Sequence, residues 1–214
     1  MIQVSEAAPD RTDHNFIRTY SGRQFWPLNP RACDIDIFDI AHALAQICRF
    51  TGHTCMFYSV ADHSLRVSHF VEQMILMHGS SAGVRAMATE MALWGLLHDA
   101  SEAYLCDLPT PIKHAPGIGQ LYQLYEARLQ QCIVNHFDLF PDEPALVKEA
   151  DRLLLLAEMR DLMTAPSAKG IAGCIEKIVP LDARDAEAGF YSRFCELVKS
   201  RTRSGHRSVG VDHE

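Results

Sequence analysis

An all-α, single-domain fold is what this sequence predicts, on three observations. Apolar residues recur at helical spacing through most of the chain, no stretch shows the alternation of a convincing strand, and 214 residues are enough to bury one full core. The balance of 48% hydrophobic and 22% charged residues is that of a soluble globular protein. No apolar run approaches the roughly 20 residues of a membrane span. The opening from Met1 to Ala7 lacks the basic and apolar regions of an export signal, so the expected location is cytoplasmic. A net charge of −7 argues against stable nucleic-acid binding, which draws on Lys and Arg, while leaving room for a small anionic ligand. The seven cysteines are scattered without a Cys-x-x-Cys pair, as expected of reduced structural thiols.

Residues 1–18 show no periodicity and are expected to form a flexible arm, followed by one domain over 19–199. The segment from Thr19 to Pro30 reads as extended or turning chain whose aromatics pack on that domain. A first helix starts after Asp34 or Asp36, with Ile37, Ile40, Ala41, Leu44 and Ile47 on one stripe, and ends near Arg49 to Gly52. Ser59 is placed to cap the next helix, with Asp62 three residues on as a weaker capping box, and Val60, Val67, Val71 and Met74 face the core. A third helix is expected from about Gly83 to Tyr104. Its segment from Met91 to Leu97 is apolar all round, the pattern of a central helix. Pro109 and Pro111 break the chain. Further helices are expected from Gly117 to His136, from the start signal at Pro141 to Pro144 through to about Met163, and from Asp182 to Lys199. The polar tail 200–214 is expected to be disordered.

Chemistry concentrates where the apolar run ends. It delivers His98 and Asp99 side by side, then Glu102, then Asp107. Burying adjacent polar groups is costly unless something binds them, and a metal ion satisfies that need. His63 and Asp151, on two other helices near apolar seams, complete a four-residue set whose side chains converge if the helices bundle. Imidazoles with carboxylates suit one divalent ion of Zn, Mn, Co, Ni, Fe or Mg. Glu102, three residues after Asp99 on one helical face, stands beside such an ion rather than on it, placed to orient or deprotonate a bound water. Arg49 and Lys113 are cations suited to phosphate oxygens, and Phe50 offers a ring for stacking on a base. Each residue alone has an ordinary reading: a salt-bridged His63 or Asp151, a helix-terminal Arg49, a core Phe50.

Together these residues form the order H…HD…D, which resembles HD-domain phosphohydrolases. The blocks from Ala61 to Val67, His98 to Glu102, Asp107 to Lys113 and Val147 to Arg152 resemble the bacterial 5′-deoxynucleotidase subgroup. The segments from Thr19 to Pro27 and Tyr58 to His63 are more similar to a sister branch, which includes uncharacterised bacterial phosphohydrolases and phage dATP triphosphohydrolases. The resemblance implies that His63, His98, Asp99 and Asp151 hold the divalent metal, that Glu102 is the catalytic carboxylate, and that Asp107 assists at the substrate. A second Mg ion arriving with substrate phosphates belongs to the same expectation. Arg49 matches the arginine that contacts substrate, whereas the tryptophan that follows it in the deoxynucleotidases is Phe50 here. The implied activity is hydrolysis of a deoxynucleotide, a monophosphate to nucleoside and phosphate or a triphosphate to nucleoside and triphosphate. The implied assembly is a homo-oligomer. The competing readings are a phosphodiesterase acting on a signalling nucleotide and a metal-stapled helical interaction module; the latter has no need of Glu102.

Overall fold

The computed structural model describes residues 8–164 and 175–203. Eight helices follow one small hairpin: β1 (Ile17–Arg18), β2 (Gln24–Phe25), α1 (Ile37–Gln46), α2 (Val60–Leu76), α3 (Ala82–Leu97), α4 (Glu102–Leu105), α5 (Thr110–Lys113), α6 (Ile118–His136), α7 (Ala145–Leu162) and α8 (Ala183–Arg203). This is an all-α architecture, as predicted. The hairpin, unforeseen in the sequence, is antiparallel with Ile17 opposite Phe25 and Arg18 opposite Gln24.

α2 and α3 pack side by side at the centre, with α7 across both and α8 against α1, α2 and α3. Close approach of the central pair depends on Gly95, where a Cβ would stand 3.2 Å from Val67 Cγ1 and 3.4 Å from Ser68 Cα. Ala92 to Leu97 are buried, as the all-round apolar pattern predicts. Trp94 is 3% exposed, and its indole N–H donates to Phe140 O at 2.9 Å. Ile40, Ala41 and Leu44 of α1 and Val60, Val67 and Val71 of α2 are core residues, with Ile37, Ile47 and Met74 packed against them.

Two boundaries and one cap differ from expectation for identifiable reasons. α1 ends at Gln46 rather than near Gly52 because Ile47 turns extended and residues 47–49 pair with 58–60: Val60 N–H donates to Ile47 O at 3.0 Å and Arg49 N–H to Tyr58 O at 2.9 Å. The helix expected over 83–104 divides after Leu97. There His98 Nδ1 bonds Gly95 O at 2.8 Å, and the next backbone bonds tighten to three-residue spacing, Ala100 to Leu97 and Glu102 to Asp99. The capping box is half formed. Ser59 Oγ accepts from Asp62 N–H at 3.1 Å, but the Asp62 carboxylate instead accepts from Arg66 Nε and Leu181 N–H, both at 2.8 Å.

The ends also differ. Of the expected arm, residues 1–7 lie outside the described residues. The rest is tied down: Arg11 reaches Asp34 Oδ2 at 2.5 Å, Asn29 Nδ2 donates to Pro9 O at 3.0 Å and Trp26 Nε1 donates to Thr12 O at 3.1 Å. Aperiodic chain is held here by side chains from the segment that follows it. Of the expected disordered tail, residues 200–203 continue α8, where the buried Arg201 donates to Phe137 O at 2.9 Å. Residues 204–214 lie outside the described residues. Six cysteines among the described residues are free thiols. No helix of the described residues is long and apolar enough to cross a membrane.

Candidate metal centre

The site forms where the first turn of α2, the end of α3 and the middle of α7 meet. His63 is fully buried on α2, held at the right depth by the Ser59 cap one turn earlier. Its Nδ1 lies 2.6 Å from Glu158 Oε1. His98 is likewise fixed through Nδ1, on Gly95 O at 2.8 Å. Both rings are therefore anchored through Nδ1 and turn Nε2 toward Asp99, the nitrogen that would carry the ligating lone pair once an ion displaced its proton. Among the described residues, neither Nε2 makes a hydrogen bond, although both are buried. Asp99 Oδ2 lies 3.2 Å from His98 Nε2 and 3.9 Å from His63 Nε2. Donor atoms of His63, His98 and Asp99 fall within 4.8 Å of one another.

This donor set fits a divalent cation. Two buried imidazole Nε2 atoms that make no hydrogen bond among the described residues, converging beside a carboxylate, leave a polar need that a metal meets. Asp151 stands at the rim of the cluster. Its Oδ1 is 3.1 Å from His63 Nε2, off the line of a hydrogen bond. Burial alone would raise the carboxyls of Asp99 and Asp151. The attraction of His98, His63 and Arg49 for Asp99, and of His63 and His98 for Asp151, instead holds both below the usual range.

Glu102 opens α4, 3% exposed, with Oε1 3.1 Å from Lys113 Nζ and Oε2 buried without a hydrogen-bond partner among the described residues. Burial first, then the nearby Asp99 and Asp107, push its carboxyl up to about 9 against the pull of Lys113. Asp107, in the loop before α5, is half-buried and also raised, mainly by burial. Lys113 ends α5, where its ammonium is shared between Glu102 and Glu126 Oε1, the latter at 2.9 Å. Its charge is thus shared between two protein carboxylates at the site.

Arg49 leaves the 47–49 pairing beside Tyr58, and its guanidinium reaches Glu158 Oε2 at 3.0 Å and Asp99 Oδ2 at 3.6 Å. The next two residues, Phe50 and Thr51, both take left-handed backbone with φ of 54°, before Gly52 at 79°. That conformation is uncommon for a bulky or β-branched residue and turns the loop sharply away. Phe50 lies with its ring centroid 5.4 Å from the Arg49 guanidinium carbon.

Sequence reasoning passed over Glu158 and Glu126. Glu158 is fully buried and also accepts from Tyr58 OH at 2.8 Å. The available signal was its spacing: seven residues after Asp151, two helical turns on, it lies on the same face of α7.

The family described as 5′-deoxynucleotidase YfbR-like matches residues 36–160, a span that holds every residue discussed in this site. The uncharacterized protein YfdR of Escherichia coli (strain K12) is 34% identical over 193 residues, covering 87% of this chain and 98% of that protein. An uncharacterized protein of Rhodobacter capsulatus is 39% identical over 135 residues, 62% of this chain and 63% of its own length. A 5′-deoxynucleotidase of Yersinia pestis is 32% identical over 111 residues, 44% of this chain and 56% of that enzyme. The similarity thus runs nearly end to end with YfdR but over little more than half of the named deoxynucleotidase. A match across more than half of the chain, with the HD residues gathered at one centre, places this protein in the YfbR-like 5′-deoxynucleotidase family.

Proposed function

We propose that this protein is a divalent-metal-dependent phosphohydrolase that removes phosphate from deoxynucleoside 5′-monophosphates. The observation that supports it best is the pair of buried, unpartnered Nε2 atoms of His63 and His98 facing Asp99, with the carboxyl of Glu102 beside them. Asp151 would join these three as the fourth ligand. A divalent ion held there would supply Lewis acidity toward a phosphoryl oxygen and water, and its charge would draw Glu102 toward ionisation.

The chain's own groups supply the rest. Glu102, steadied by Lys113, takes a proton from the water whose oxygen attacks phosphorus. The bond between phosphorus and the 5′ oxygen breaks, and Asp107, in the loop before α5, passes a proton to the leaving oxygen. Arg49 turns from Asp99 to a phosphate oxygen and offsets its charge. The Phe50 ring offers a stacking face to the base. A monophosphate is favoured over a triphosphate because the two cations at the site, Arg49 and Lys113, are already shared with Glu158, Asp99, Glu102 and Glu126. The proposal includes a cytoplasmic location and a homo-oligomer in solution, the latter read by sedimentation.

The test is a panel of deoxynucleoside mono- and triphosphates, with Co, Mn, Zn and Mg supplied in turn and products identified. Orthophosphate and nucleoside from the monophosphates is the expected result. Inorganic triphosphate from a dNTP would move the assignment to the triphosphohydrolase reaction. No turnover with any pair would leave the metal-stapled module in its place.

A further inference from the structure

We propose that Glu158 is a positioning residue that holds the two halves of the site, metal and phosphate, from one buried carboxylate. One oxygen, Oε1, receives His63 Nδ1 at 2.6 Å and Tyr58 OH at 2.8 Å; the other, Oε2, receives Arg49 Nη2 at 3.0 Å and Nε at 3.3 Å. His63, Tyr58 and Glu158 are fully buried. A carboxylate on the far nitrogen of a ligating imidazole fixes the ring's tautomer and direction and makes the ligating nitrogen more basic. The second oxygen does the corresponding work for Arg49, fixing a long, flexible side chain whose loop is already turned sharply at Phe50 and Thr51.

A purely structural origin accounts poorly for this residue. Glu158 follows the run from Leu153 to Ala157 on α7, where an apolar side chain would fill the position without the desolvation cost of a buried ion pair. Buried charge networks of this kind give little net stability over a packed apolar alternative. What this one adds is alignment: His63 from α2 and Arg49 from the segment after α1 are referred to the same point on α7, two turns beyond Asp151.

The metal half of this inference stands on geometry alone; the phosphate half rests on the function proposed above. The test is cobalt(II) titration of Glu158→Gln and Tyr58→Phe, followed by the visible spectrum of the bound ion and checked against thermal unfolding. For Glu158→Gln we expect cobalt affinity to fall about 10–100-fold, with an altered spectrum. With saturating cobalt, KM for a deoxynucleoside monophosphate should rise more than kcat falls. Tyr58→Phe leaves the His63 and Arg49 contacts in place and should bind cobalt within a few-fold of the parent. A folded Glu158→Gln protein with unchanged cobalt affinity and spectrum overturns the proposal. So does an equal loss in both variants, which would signal general loosening. Should Glu158→Gln fail to fold, nitrogen-15 spectra of the parent decide. A His63 Nδ1 proton that exchanges slowly is required, and one that exchanges like an exposed imidazole overturns the assignment. Cobalt affinity is read without turnover, so an inactive protein with the expected affinity loss would remove the phosphohydrolase reading and keep Glu158 in its role.

Discussion

Burial raises the carboxyl of Glu102 to about 9, with Asp99 and Asp107 adding to the effect and Lys113 opposing it. In the unfolded chain the same group ionises near 4.3. The folded protein therefore holds a proton that the unfolded chain has already released. The stabilising contribution of that proton is complete below the unfolded value and is lost as pH rises through about 9. Glu102→Gln keeps the shape without the ionisable proton. With EDTA present throughout, its melting temperature should gain on the parent's progressively from pH 5 to pH 9. A flat difference would mean that the surroundings do not hold Glu102 protonated. The same variant should keep bound cobalt while kcat drops about 10²–10⁴-fold, the range for losing a general acid–base group. Retained turnover would remove Glu102 from catalysis.

At the scale of elements, α5 and α6 fix where Lys113 sits. Gly119, in the first turn of α6, lies under the end of α5, where a Cβ would stand 2.7 Å from Ile112 O and closer still to Lys113 O. Backbone carbonyls do not yield as a flexible side chain does, so Gly119→Ala must push α5 away and carry Lys113 from Glu102. The expected cost is about 1–3 kcal/mol in a denaturant titration, the usual range for overpacking, together with a lower kcat. Wild-type values for both would show that α5 moves freely. The break after Leu97 is an element of the same kind. A continuous helix would keep Glu102 on the Asp99 face; the tightened turn instead sets Glu102 at the start of α4, reaching Lys113.

At the scale of the whole molecule, the candidate ligands lie on α2, just past the end of α3 and on α7, segments far apart in sequence that pack on one another at the core. An ion that binds only when they are assembled stabilises the folded state by mass action. At a hundredfold excess over Kd that is about 2.7 kcal/mol, or roughly 5–10 °C in melting temperature for a chain of this length. Calorimetry with cobalt and then EDTA should show this shift, and its absence in the His98→Ala protein would tie it to this centre. Most of the helices and the gathering of His63, His98 and Asp99 were legible in the sequence, because apolar periodicity and the spacing of these residues are local patterns. Glu158 was not: its role depends on Tyr58 and Arg49, brought beside it by the pairing of residues 47–49 with 58–60. The sharing of Lys113 was not legible either, because Glu126, its second partner, is thirteen residues away on another helix. The break after Leu97 carried no Gly or Pro signal, since a side chain, the His98 ring, occupies the Gly95 carbonyl there.

The chain has two tryptophans, and the fold has separated them by task. Trp26 sits under the Arg11 guanidinium, 4.6 Å from the ring centroid, with its N–H on Thr12 O, so its emission reports whether the N-terminal segment is seated. Trp94 is buried one helical turn before His98, so quenching of its emission by added cobalt(II) would report an ion at the candidate centre. With each replaced in turn by phenylalanine, the protein carries its own optical probes, one for the arm and one for the ion.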